Sequence, residues 1–320
     1  MTTHINPITP VDIVLSVITV NYNGLRDTCE LIDSITFSDD MEMIVVDNGS
    51  RSDDAAVLEQ RYPRVRVVRS RENLGFAGGN NLGIREARGK YLFLLNNDTL
   101  LTLPGEGGGE AAPLSGMVEA IFARHSSSCP AAAIVCPKIR FARGDRPIQY
   151  AGYTPLSSIT LRNRAIGCGE ADRGQYDVSH ATPYAHGAAM LVSREAVAKA
   201  GLLPECYFLY YEELDWSLMF RRAGYAVVYD PSLTVCHKDS STTGQGSPLR
   251  TYYTTRNRLL FAHRNVHGSR RFITYAYLIC IVALRDIVAY AIRGKGSNVR
   301  AVLTGVAHFL KGRQGRCCDF

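Results

Sequence analysis

Four apolar runs in the first hundred residues each stop abruptly on polar side chains, and this repeated stop is what most constrains the fold. Residues 11–20 run into "NYNG", "EMIVVDNGS" stops at Asp47-Asn48-Gly49-Ser50, "VRVVRS" leads into "ENLGFAGGNN", and "KYLFLLNND" stops at Asn96-Asn97-Asp98. Runs this short and rich in β-branched residues read as buried strands. Segments with helical signals lie between them. Leu25, Cys29, Ile32 and Ile35 share one face, Ser52 and Asp53 can cap a helix over 54–61, and a third helix is expected around 80–88, after a Gly/Asn loop. Strands alternating with helices predict right-handed βαβ units and a mainly parallel sheet flanked by helices. Ligands of such sheets sit beyond the carboxyl ends of the strands, which is where Asn21, Asp47, Asn73 and Asp98 fall.

The pattern continues beyond a Gly/Pro-rich surface loop expected over 104–116. A strand is predicted over 131–141, loops or a small antiparallel excursion over 142–182, and a strand followed by a helix over 184–203. An amphipathic helix over 212–225 ends at Gly224, and a strand from 226 ends at His237. The N-terminal stretch has no basic region and no small-residue cleavage site, so it reads as a strand and not as a signal peptide. Nine cysteines without a single CxxC pair fit free thiols in a reducing compartment better than a disulfide framework or a zinc site.

The tail is different. From residue 250 onward there are eleven Arg and two Lys against Asp286 and Asp319, a net of +11 in a chain whose total is +6, so the first 249 residues sum to −5. Residues 272–284 are almost wholly apolar, then Arg285-Asp286 interrupt before "IVAYAI". Thirteen residues cover about 20 Å as a helix, short of the roughly 30 Å of a hydrocarbon core. The full stretch to Ile292 would place both charges near mid-membrane, so a helix docked on the body or lying on the membrane is favoured over a span. "VRAVLTGVAHFLKGR" reads as a second amphipathic helix with a basic face, suited to an anionic membrane surface. Nucleic acid is not expected as a partner, because the tail carries no base-stacking or groove-reading module.

Several residues at the strand ends have side chains suited to a nucleotide-sugar site. Asp47 can accept hydrogen bonds from a ribose or a pyrimidine N–H, or simply cap a turn. Asp98 beside Thr99 offers one hard oxygen of the kind Mg²⁺ or Mn²⁺ prefers, and His237 can add an imidazole or serve structurally. Glu212, Glu213 and Asp215 crowd three acids into one turn, which is costly unless a cation, substrate or proton relieves it; a solvated helix start is the plainer alternative.

Taken in order, "SVITVNYNG", "IVVDNGS", "ENLGFAGGNNLGIREARGKYLFLLNNDT", "HGAAMLVSREAV", "YFLYYEELDWSLMFRRAGYAVVYDPSLTVCHK" and "YYTTRNRLLF" resemble the family-2 glycosyltransferases, most of all their rhamnosyltransferase-like branch. The likeness covers about residues 13–265. It implies a GT-A fold (a Rossmann-like nucleotide-diphospho-sugar transferase) over residues 1–265, with 266–320 as a basic helical tail at the membrane surface. The implied reaction is a metal-dependent, inverting transfer of a sugar, such as rhamnose, from a dTDP- or UDP-sugar to a lipid-linked or glycan acceptor in bacterial polysaccharide synthesis. Such an enzyme would be cytoplasmic and peripheral on the inner face of the cell membrane.

By the same resemblance, Thr19, Asn21 and Asp47 lie at the nucleoside, with Asn73 and Asn80 nearby. Asn96-Asn97-Asp98 takes the Asp-x-Asp place, so Asp98 and His237 would hold the Mn²⁺ or Mg²⁺, with Asn96 and Asn97 near ribose or sugar. Gly187 falls in the stretch lining the acceptor side. Glu213 stands where the family usually has the catalytic aspartate of a Glu-Asp pair, with Glu212 and Asp215 as other candidates. This departure keeps open a catalytically weak glycan- or nucleotide-binding protein of the same fold. A nucleotidyltransferase fits less well, because "NYNGLRD" replaces the basic Gly-rich loop it needs.

Overall fold

The computed structural model describes residues 12–102, 113–127, 130–239 and 246–319. The first strands and helices follow the predicted alternation: β1 (Leu15–Asn21), α1 (Leu25–Asp33), β2 (Met41–Asn48), α2 (Asp54–Arg61), β3 (Val65–Ser70), α3 (Gly75–Glu86) and β4 (Tyr91–Asn96). Asp53 caps α2 by accepting a hydrogen bond from the N–H of Ala56. β5 (Thr99–Thr102), α4 (Leu114–Ser126), β6 (Ala132–Phe141), β7 (Ile148–Tyr150), β8 (His180–Ala181), β9 (Ala189–Ser193) and α5 (Arg194–Ala200) come next. The chain then forms α6 (Glu212–Arg222), β10 (Ala226–His237) and α7 (Pro248–Asn265). It ends with α8 (Ser269–Ala276), a π-helical segment (Tyr277–Ala283), α9 (Leu284–Ile292) and α10 (Gly296–Leu310).

The ten strands form one sheet whose main path is β3-β2-β1-β4-β9-β6-β10-β5. Strands β1 to β4 pair in parallel, as the βαβ pattern requires, whereas β9 runs antiparallel between β4 and β6. The sheet is therefore mixed. Because β9 reverses direction and β6 reverses it again, β10 points the same way as β4, and His237 ends at the same edge as Asn96.

Two stretches differ from the sequence expectation. Gly75–Asn81 is helix and not loop. Its glycines let α3 lie tight on the sheet, since a Cβ on Gly79 would come within 2.8 Å of Val20 and one on Gly83 within 2.4 Å of Ile18. Residues 114–116, expected as the end of a surface loop, begin α4; residues 104–112 of that loop lie outside the described residues, as does Cys129. The region 142–182 holds only the short strands β7 and β8, and the eight described cysteines are free thiols.

The main core lies on both faces of the sheet, and a second apolar cluster joins Tyr207, Leu259, Leu260 and Phe261 to Leu278 and Val282. Residues Ser269–Ile292 form one uninterrupted helix that is long and apolar enough to cross a membrane. It is docked along α7 by Leu278, Val282 and Ala283, and it leaves Phe272, Ile281, Leu284, Val288 and Ile292 exposed. α10 also packs on α7, closely enough that a Cβ on Gly305 would meet the Tyr252 carbonyl at 3.1 Å.

Candidate active site

The register sets Asn21 opposite Asp47 and Val20 opposite Asn96, so three strand ends are level. Asn21 is fully buried. Its Nδ2 donates to Asp47 (3.2 Å), Ser50 (3.2 Å) and Asp54 (2.9 Å), and its Oδ1 accepts from Thr28. It therefore holds Asp47 in place and has nothing left for a nucleoside. Thr19 is likewise wholly buried inside the sheet. Asn80 is also buried, and it donates to the Phe76 carbonyl within its own helix. These three polar residues lie beneath the surface on which a nucleoside would rest. Asp47 is 7% exposed, more than these three, and its Oδ1 accepts from Asn21.

Asn73 builds the turn into α3. Its Oδ1 accepts from the Gly75 N–H at 2.8 Å and from Asn48 Nδ2 at 3.2 Å. Gly75 has φ +74, and a side chain there would strike the Phe208 carbonyl, which accepts from the Phe76 N–H. The first turn of α3 is thus fastened to the loop before α6.

Asn96 ends β4, and Asn97 and Asp98 form the turn into β5. The Asn96 N–H donates to the Ala188 carbonyl, and Asn97 Nδ2 donates to Thr28 and Gly24. Asp98 and His237 come together, with His237 Nε2 3.1 Å from Asp98 Oδ1. On the other side of the ring, Nδ1 donates to Gln149 Oε1 at 2.9 Å, which fixes the ring and turns Nε2 toward the carboxylate. One carboxylate oxygen and one imidazole nitrogen facing a shared space suit Mn²⁺ or Mg²⁺, which fill their remaining positions with water and phosphate oxygens. The residues present fit such an ion.

The segment 186–188 lies against Asn96, His237 and Glu213. Ala188 holds Asn96, the His186 ring lies 6.4 Å from that of His237, and a Cβ on Gly187 would sit 3.8 Å from Glu213 Cγ. Burial pushes the His186 imidazole down to about 3, so it is neutral and stacks on Tyr153. The helix carrying Glu213 is tied to this segment through Ser217, which accepts from the Ala185 N–H and donates to the Glu213 carbonyl.

The three acids of α6 have separate surroundings. Asp215 is completely buried and accepts from Tyr207 (2.9 Å) and Arg264, so it is part of an internal ion pair and not a candidate base. Glu212 is 3% exposed, with Oε2 unpartnered among the described residues; burial first and then Glu213 push its carboxyl well up, keeping it protonated. Glu213 retains some exposed surface, yet dense packing around its carboxyl pushes it up to about 7.

Gln149, His186, Arg256 and Asn257 were not singled out by sequence reasoning. Arg256 and Asn257 stand in "YYTTRNRLLF" on α7 and are almost wholly buried. Asn257 Nδ2 donates to the carbonyls of Tyr207, Leu209 and Tyr210, and Arg256 donates to Tyr207 as well. The loop they hold has Phe208, Tyr210 and Tyr211 at φ 70, 68 and 79, a conformation that side chains disfavour. A polar pair within an otherwise helical stretch was the available signal.

A βαβ sheet whose carboxyl edge gathers Asp47, an Asp–His pair and a buried carboxylate has the architecture of the GT-A nucleotide-sugar transferases. The fold matches GalNAc-T7 solved with UDP, GalNAc and Mn²⁺ (TM-score 0.56, 14% identity, 87% of this chain and 58% of that one). It also matches the mannosyltransferase PcManGT of Pyrobaculum calidifontis with GDP-Man and Mn²⁺ (TM-score 0.53, 15% identity, 93% and 87%). Residues 16–103 match the Glycosyl transferase family 2 model. Among curated relatives, the low-salt glycan biosynthesis hexosyltransferase Agl10 of Haloferax volcanii is 26% identical over 94% of this chain and 92% of its own. The N-acetylglucosaminyl-diphospho-decaprenol L-rhamnosyltransferase of Mycobacterium tuberculosis is 24% identical over 72% and 78%. Residues 16–103 thus carry a Glycosyl transferase family 2 match, within a chain that has the GT-A fold.

Proposed function

We propose that the chain transfers a hexose, with a deoxyhexose such as rhamnose as the leading candidate, from a UDP- or dTDP-sugar to a lipid-linked or glycan acceptor. The setting would be bacterial cell-surface polysaccharide synthesis on the inner face of the membrane. The names of the hexosyltransferase and rhamnosyltransferase relatives support the sugar and acceptor classes. Residues 1–265 would form the transferase unit and 266–320 its membrane-facing helices, whose exposed apolar residues and net charge favour an anionic bilayer.

The observation that carries this reading is the position of Glu213, a carboxyl shifted to about 7 and set against Gly187 beside the Asn96 and His237 strand ends. In its ionised form Glu213 takes the proton of an acceptor hydroxyl, and the oxygen attacks C1 of the donor sugar as the bond from C1 to the diphosphate breaks, with inversion. Asp47, held by Asn21, receives the nucleoside. Asp98 and His237 would hold a divalent cation, which neutralises charge developing on the leaving diphosphate. Glu213→Gln keeps the shape and removes the base. Transfer should fall about 10³-fold, within the range of general-base catalysis, while UDP with Mn²⁺ still raises the melting temperature. Turnover near the wild-type rate would refute the assignment.

A further inference from the structure

Between α7, the π-helical segment and the loop before α6 lies a cavity of about 90 Å³. Its walls include Tyr211, Thr254, Arg258, Leu278, Val282 and Asp286. By that measure it has room for several waters or one phosphate group. Arg258 enters it with a largely buried guanidinium. One terminal nitrogen donates to the Thr160 carbonyl, but Nε–H is buried with no acceptor among the described residues. An unsatisfied N–H on a buried cation is unfavourable and calls for an anionic acceptor.

Its surroundings favour an anion. Burial pushes the Arg258 guanidinium down, and Arg162 and Arg285 press it further the same way. Arg162 is exposed and makes no ion pair among the described residues. Asp286, which lines the cavity, is bound by Arg285. Arg258 and Asp286 are the charged residues of the wall, and Arg162 and Arg285 lie near enough to Arg258 to add positive charge around it.

The two ends of the cavity differ. Tyr211 directly precedes α6 and stands two residues from Glu213. The opposite wall is the π-helical segment, an irregularity frequent at functional sites. It turns Leu278 and Val282 inward, while Ile281, Leu284 and Val288 of the same continuous helix are exposed.

We propose that this cavity receives the phosphate group of a lipid-linked acceptor. Arg258, with Arg162 and Arg285, would grip the phosphate ester while the hydrocarbon follows the exposed apolar face of the Ser269–Ile292 helix. The first sugar would then lie toward Glu213. This assignment rests on the lipid-linked acceptor of the proposed function.

The test uses the full chain and farnesyl diphosphate, a soluble lipid diphosphate, in calorimetric titrations. Arg258→Gln and Arg162→Gln should each weaken binding by about tenfold or more, as expected for a lost charge-assisted contact. Because Arg162 is exposed and unpaired, its variant folds whatever its role. No binding by the wild type, or less than about a threefold change in both variants, overturns the proposal. Vesicles containing phosphatidylglycerol separate the two sources of phosphate. Variants that lose farnesyl diphosphate but keep vesicle binding support the acceptor; variants that lose the vesicles and keep the diphosphate mark a headgroup site and overturn it. Melting shifts with UDP and Mn²⁺ report the donor side separately. A chain that binds farnesyl diphosphate without nucleotide refutes the transferase reading, and one that binds nucleotide alone refutes this cavity.

Discussion

Glu212 and Glu213 are neighbours in sequence with different chemical fates. Glu212 stays protonated at neutral pH, whereas Glu213 ionises near 7 against an ordinary glutamate value of 4.5. In the proposed role of general base Glu213 would work only when ionised, so transfer should rise about tenfold per pH unit below 7 and level off above it. The same shift has the opposite sign for stability. Between 4.5 and 7 the folded state holds the extra proton, so Glu213 contributes stability below that window and loses it as pH rises through about 7. A pH–rate profile without a limb near 7 would contradict the assignment. The strand-end positions of Asp98 and His237 were legible because an apolar run stopping on a polar residue marks the sheet edge. Burial of Thr19, Asn21 and Asn80 was not legible, because a polar side chain near a strand end can bond to a neighbouring carboxylate or to its own helix as readily as to a ligand.

Among elements, the loop Tyr207–Tyr211 has the most demanding geometry. It places three non-glycine residues at positive φ immediately before α6, and each such residue costs about 1–3 kcal/mol unless its surroundings enforce it. Asn257 supplies that enforcement through three carbonyls, reinforced by Arg256. Asn257→Ala should destabilise the fold by about 1–3 kcal/mol, the cost of leaving buried acceptors unpaired, and should lower kcat more than it weakens nucleotide binding. Thermal melts and steady-state kinetics check both parts; an unchanged kcat would mean the loop keeps its shape without this clamp. The α3 segment teaches a related lesson. Its glycine content reads locally as loop, yet contact with Val20 and Ile18 makes the missing side chains a requirement for a tightly packed helix. Composition reports flexibility, and tertiary contact decided otherwise.

At the scale of the molecule, the alternation of strands and helices made the parallel half of the sheet readable, while the reversal at β9 was not, since a five-residue strand carries no mark of its direction. The tail was readable as an amphipathic helix docked on the body or lying on the membrane, but the choice of α7 as its partner depends on contacts too distant in sequence to see. Leu284 and Ile292 are 56% and 82% exposed, so glutamate at both should leave the melting temperature unchanged and abolish co-sedimentation with phosphatidylglycerol vesicles. Wild-type binding should also weaken as salt is raised. Retention of the double variant on vesicles at wild-type levels would refute the membrane role. The apolar contacts of α7 with Leu278 and Val282, and the close fit of Gly305 against the Tyr252 carbonyl, pack the tail directly on the helix that holds the Tyr207–Tyr211 loop. The tail is therefore part of the frame and not a tether hung from it. Cutting the tail away would strip apolar partners from α7, the helix whose Arg256 and Asn257 hold the Tyr207–Tyr211 loop.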